Sequence, residues 1–80
     1  MKDALMYIVS LLVDHPDEVV ITESMEGATT IFTIATHPED MGKIIGKSGR
    51  IIRAIREIAR TFAAKTNSYI DIKIAGDMAA

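Results

Sequence analysis

The sixteen residues from Arg50 to Lys65 carry a two-sided pattern that an amphipathic helix satisfies and a strand does not. Ile51, Ile52, Ile55, Ile58, Ala59, Phe62 and Ala63 recur at helical spacing as an apolar stripe. Arg53, Arg56, Glu57 and Arg60 lie opposite it. After Thr66-Asn67 the period changes. Ser68 to Ile74 alternates, with Ile70, Ile72 and Ile74 on one face and Tyr69, Asp71 and Lys73 on the other. A helix with one apolar stripe next to a half-buried strand predicts helices layered on a sheet. The chain has 80 residues, 49% of them apolar, which is one domain's worth. A domain this short buries only about 60–65% of the surface its unfolded chain exposes, so its core is thin.

The remaining elements follow from the same reading. Asp3 to Val13 has the period of a helix, with Leu5, Ile8, Leu12 and Val9, Val13 inward and Asp3 capping the start or favouring the dipole. Pro16 ends it by pushing His15 out of helical geometry. Glu18 to Ser24, rich in β-branched residues, reads as a strand. A turn at Met25 to Ala28 leads to a second, antiparallel strand over Thr29 to Thr36. His37-Pro38 precedes a short helix reaching about Ile45, its acidic start (Glu39, Asp40) suited to exposed N–H groups. The order is α-β-β-α-α-β, an α+β fold with three helices on one face of a three-stranded sheet. Residues 76–80 read as a frayed tail. Of the aromatics Tyr7, Phe32, Phe62 and Tyr69, most are expected in the core.

Composition removes several function classes. There is no cysteine, hence no disulfide framework or Cys-based zinc site. His15 and His37 each precede a proline, with no second His or Cys at ligand spacing, so no metal or catalytic role is expected of them. Thr36 or Asp40 acting as a helix cap is the simpler purpose of the second region. The nearly apolar run Ala4 to Val13 is about half the length of a bilayer span and lacks a signal-peptide cleavage pattern. A cytoplasmic protein without membrane association is expected. The net charge of −2 conceals a segregation. Residues 1–40 sum to −7, whereas Met41 to Lys65 sums to +6, and an approaching polyanion meets the local field. Taken alone, such a run also fits a solvated helix face. Arg53 and Glu57, four apart, are spaced to pair, and Arg56 and Arg60 need do no more than solubilise the helix.

The segment Lys43-Ile-Ile-Gly-Lys-Ser-Gly-Arg-Ile-Ile52 gives that charge a setting. It is not a nucleoside-triphosphate P-loop, because Gly42 and Gly46 are separated by three residues where that motif needs four. It reads as a tight loop between helices, with Gly46 ending the first, Gly49 turning the backbone and Ser48 placed to cap the second. A structural linker needs no more. Yet Lys47 at the tip, with Arg50 and Arg53 in the next turns, surrounds a helix N-terminus and makes a ready anion site.

Residues 44–52 resemble the I-G-x-x-G core of the KH domain. With an α-β extension ahead of a β-α-α-β core, the order resembles the type II arrangement. Across essentially the whole chain, including Asp40-Met-Gly-Lys-Ile-Ile-Gly46 and Arg53-Ala-Ile-Arg56, it is similar to the small KhpA-type single-domain KH proteins. The resemblance implies a mixed sheet and a single non-catalytic KH domain over 1–80, needing no cofactor. It also implies a clamp on about four unpaired RNA nucleotides. By position, Gly46, Lys47, Ser48 and Gly49 would meet phosphates, and Lys43, Arg50 and Arg53 would add charge. Ile44, Ile45 and Ile52 would floor the groove beside Ile34 or Ala35, with Ile44 and Ile52 equally readable as plain core. The roles implied are post-transcriptional regulation or RNA chaperoning. The family also implies self-association and pairing with a larger multidomain KH protein of the KhpB (Jag) type, and a protein-interaction module is the competing reading.

Overall fold

Gly27 turns the chain where the sheet begins. In a computed structural model describing residues 1–75, strand β1 (Val20–Glu26) pairs antiparallel with β2 (Thr29–Ala35). The two-residue loop between them has positive φ at Gly27 (60°) and not at Ala28. That is the type II′ pattern, whose twist matches the paired strands. Strand β3 (Tyr69–Ile74) lies parallel to β2 on its other side, giving the mixed order β1-β2-β3. The register aligns Ile21, Ile34 and Ile74 in one row across the sheet, and Phe32 beside Ile72 in the next.

Helices α1 (Lys2–Leu12), α2 (Met41–Ile45) and α3 (Arg50–Lys65) supply the second layer, with α1 against β1, α3 against β3 and α2 touching both helices. Leu5 and Val9 of α1, Ile44 of α2 and Ile52, Ile55 and Ala59 of α3 meet the sheet's Ile21, Phe32, Ile34 and Ile72 in one core. Fully burying one such aliphatic side chain contributes about 1.5–3 kcal/mol, so every member matters in a core this small. Among the described residues no helix is long and apolar enough to cross a membrane. The tail expectation for 76–80 lies outside the described residues.

Several expectations are corrected. Strand β1 starts two residues later than predicted, because Pro16–Glu18 form a single 3-10 turn in which the Glu18 amide donates to the His15 carbonyl (3.0 Å). Asp3 makes no capping bond and lies in the first turn of α1, where its charge faces the dipole. Of the four aromatics only Phe32 is core. Tyr7 and Tyr69 are each 68% exposed and Phe62 43%. Among the described residues the sheet has helices on one face only, and alternation puts Tyr69 on the other. The stripe on α3 is likewise wider than the sheet can cover: Ile52, Ile55, Ala59 and Ala63 are buried, while Ile58 and Phe62 face outward. On the helix-free face Ile31 is nonetheless buried. The Lys73–Glu26 ion pair (3.9 Å) reaches from β3 to β1 across the row in which it sits.

Candidate functional site

The loop from α2 to α3 has positive φ at three of its four residues: Gly46 (75°), Ser48 (57°) and Gly49 (74°). Gly46 ends α2, its amide donating to the Gly42 carbonyl (2.8 Å), and the Gly49 amide turns back to the Gly46 carbonyl (3.1 Å). A Cβ on Gly46 would stand 2.5 Å from Cγ1 of Ile51, so the first turn of α3 packs directly on bare backbone there. Nothing lies within 4 Å of the equivalent point on Gly49, which is glycine for its left-handed backbone alone.

Ser48 does not cap α3. Gly49 occupies the N-cap position, and among the described residues no side chain bonds to the helix start. The Arg50 amide donates to the Lys47 carbonyl, and the amides that follow it have no side-chain cap, at the end where the helix dipole favours negative charge. Lys47, Ser48 and Arg50 are exposed around them. Arg53 is not paired with Glu57 as its spacing suggested; its Nη2 approaches the Ser48 carbonyl oxygen (3.5 Å), and Glu57 takes Arg60 instead (2.9 Å). Among the described residues no ion pair engages Lys47, Arg50 or Arg53. Their charge faces outward uncompensated.

The structure separates the other candidates from this cluster. Lys43 donates to the carboxylates of Asp14 and of Asp40 (3.3 Å). Those hydrogen bonds, first the one to Asp14, raise its pKa above the usual lysine value against the effect of burial. Its charge, at the surface, is matched by these two carboxylates. Asp40 is the centre of that clasp. Fully buried, it accepts from the backbone amides of Asp14 (3.2 Å) and His15 (2.9 Å). Burial pushes its pKa up, but these bonds and Lys43 outweigh it, and the carboxyl sits below the ordinary aspartate value. Neither Asp40 nor Thr36 caps a helix; the cap is the His37 ring, whose Nδ1 accepts from the Glu39 amide (3.0 Å).

Ile44 is fully buried and Ile52 nearly so, both inside the main core, as is Ile34. Ile45 and Ala35 keep partial exposure, and so does Ile51, whose side chain lies against Gly46. Ile51 reads as core in the sequence because it stands at the edge of the apolar stripe, and its packing on Gly46 was not legible there. The partner of Arg56 was not legible either. That arginine does more than solubilise α3, for its Nε donates to the Ile72 carbonyl (3.1 Å) on the outer edge of β3. The neighbouring Asp71 accepts from the Ile72 amide (2.9 Å), so that edge position is satisfied on both sides.

Two helices joined by a glycine loop of left-handed residues, on one face of a three-stranded mixed sheet in the order α-β-β-α-α-β, define a KH domain of the type II arrangement. More narrowly, the chain belongs to the KhpA/KhpB KH domain family, whose model matches residues 2–74. It is similar to the RNA-binding protein KhpA of Oceanobacillus iheyensis, with 42% identity over 76 residues covering 90% of this chain and 99% of the relative. The RNA-binding protein KhpA of Chlamydia caviae is 43% identical over 77 residues, covering 96% and 99% respectively. That of Clostridium acetobutylicum is 43% identical over 74 residues, covering 92% and 99%. No solved structure matches the chain.

Proposed function

We propose that the chain binds single-stranded RNA without catalysis, holding the sugar-phosphate backbone at Gly46, Lys47, Ser48 and Gly49. The observation that carries this is the start of α3 without a side-chain cap beneath a glycine loop, ringed by Lys47, Arg50 and Arg53, which have no ion-pair partner among the described residues. Relatives named RNA-binding proteins over nearly their whole length support it. Amide donors and uncompensated cations recognise phosphate, and the absence of side chains at Gly46 and Gly49 lets a backbone approach. Ile45 and Ile51 are the apolar residues left partly open beside the loop; Ile44 and Ile52 act from within the core. Lys43 contributes position rather than charge. The setting is cytoplasmic, in post-transcriptional regulation or RNA chaperoning.

Salt dependence tests the phosphate clamp. With two to four phosphate contacts, log K for a short unstructured RNA falls against log salt with a slope of roughly −1.4 to −2.8, from about −0.7 per contact on single strands. Fluorescence anisotropy over a salt series reads it. A slope near zero removes the clamp.

A second reading accompanies the first. Ile58 and Phe62 stand exposed in the middle of α3, between Glu57 and Lys65. Antiparallel packing of this face on that of a second copy sets Glu57 of each chain near Lys65 of the other, so the patch is self-complementary. Two weak RNA sites in one dimer then gain by effective concentration. The same face would serve a larger KH partner of the KhpB (Jag) type. In sedimentation equilibrium over a concentration series the chain is expected to dimerise and Phe62→Asp to stay monomeric. A chain that is monomeric throughout, or a variant that dimerises equally, removes the self-paired face.

A further inference from the structure

The two histidines, 22 positions apart and unpromising as ligands by spacing, are brought together by the fold. His15 follows α1 and His37 precedes α2, and their rings stack with centroids 4.2 Å apart and planes 25° apart. Glu39 stands before both: its Oε1 is 3.5 Å from Nε2 of His15 and 3.8 Å from Nδ1 of His37. One ligand atom from each of the three lies within 4.8 Å of the others. We infer that His15, His37 and Glu39 form a surface site for a transition-metal ion of the zinc class, linking the segment after α1 to the turn before α2.

Four features support the assignment. Bonds of about 2.0–2.1 Å to a tetrahedral ion set ligand atoms about 3.3 Å apart, close to the two carboxylate–imidazole distances already present. Nδ1 of His37 accepts a hydrogen bond from the Glu39 amide (3.0 Å), so the ring already presents this nitrogen as an acceptor at the surface. Its other nitrogen, Nε2, has a carboxylate oxygen of Glu18 4.0 Å away, beyond hydrogen-bond length, but a carboxylate of the kind that orients a ligating histidine once it closes on the ring. Beneath the pair, buried Asp40 holds the His15 amide with its carboxylate, and its own amide donates to the His37 carbonyl (2.8 Å). Both ligand segments are thus fixed by one residue.

On binding, the ion takes the Nδ1 lone pair from the Glu39 amide, which lies at the surface and turns to water. The two partly exposed rings rotate out of their stack so that both nitrogens point at one centre. Two imidazoles and one carboxylate select zinc, nickel or copper over magnesium or calcium, which prefer oxygen alone. Water completes the coordination.

Isothermal titration of the untagged chain with zinc chloride tests this, with melting followed in parallel. One ion per chain is expected, and saturating zinc raises the melting temperature by at least about 4 °C relative to chelator. Magnesium at the same concentration leaves it unchanged. His37→Gln and Glu39→Gln, each confirmed folded by circular dichroism in chelator, lose the shift. Glu39 is exposed, so its variant keeps the test valid if His37→Gln unfolds. No zinc heat, one ion shared by two chains, an equal response to magnesium, or a shift that survives in a folded variant would each overturn the site.

Discussion

Gly46→Ala is expected to destabilise the chain by about 2–4 kcal/mol, combining backbone strain with overpacking. A domain of this size then melts roughly 10 °C or more lower. Gly46 has φ 75° and ψ 172°, a conformation that residues with a Cβ avoid. The added carbon would also lie 2.5 Å from Cγ1 and 2.9 Å from Cβ of Ile51. Rotating the Ile51 side chain relieves the first contact and not the second, since Cβ is fixed by the first turn of α3. The helix itself must shift, and with it the amides that form the proposed clamp. Gly49→Ala is the internal control. It meets nothing within 4 Å and bears only the left-handed penalty of about 1–2 kcal/mol. Urea unfolding of both variants decides the matter. If Gly46→Ala unfolds no earlier than Gly49→Ala, the close packing of Ile51 on the loop is not what demands glycine there.

The loop and α3 were legible because their determinants are local. Sixteen residues of helical period end where a period-two strand begins, and four consecutive residues contain the whole glycine turn. The mixed sheet came through the resemblance instead, since no local pattern distinguishes a parallel partner for β3 from an antiparallel one. What could not be read is what depends on distant partners. Lys43 looks like a groove cation until Asp14, 29 positions earlier, is seen to hold it. Asp40 looks like a helix cap until the amides of Asp14 and His15 arrive at its carboxylate. The two histidines meet only because those same bonds draw the ends of two connections together. Exposure of Tyr7, Phe62 and Tyr69 was misjudged for a related reason. Hydrophobicity marks which residues favour burial, but a thin domain with one covered sheet face cannot accommodate them all. Ser48 failed as a cap because its backbone is left-handed (φ 57°), whereas an N-cap residue needs a β-region backbone for its oxygen to reach the helix amides.

Changing Lys47 and Ser48 together to aspartate is expected to weaken RNA binding about 10- to 100-fold while leaving the fold intact or slightly firmer. Losing charge-assisted phosphate contacts worth about 1.5–3 kcal/mol gives a loss of this order, before any repulsion from the new carboxylates. Stability is expected to move the other way. Both side chains are exposed, and aspartate tolerates the left-handed backbone found at Ser48. Carboxylates beside the uncapped start of α3 also favour the helix dipole by about 0.3–1 kcal/mol. Opposite signs separate the readings, because a variant that bound poorly through misfolding would melt earlier as well. Anisotropy of a labelled unstructured RNA and thermal melting of the same two samples supply both numbers. Lost binding with unchanged or higher stability places the phosphates at the loop. Equal binding by the two chains would make Gly46 to Gly49 a turn between helices and move the RNA to another face.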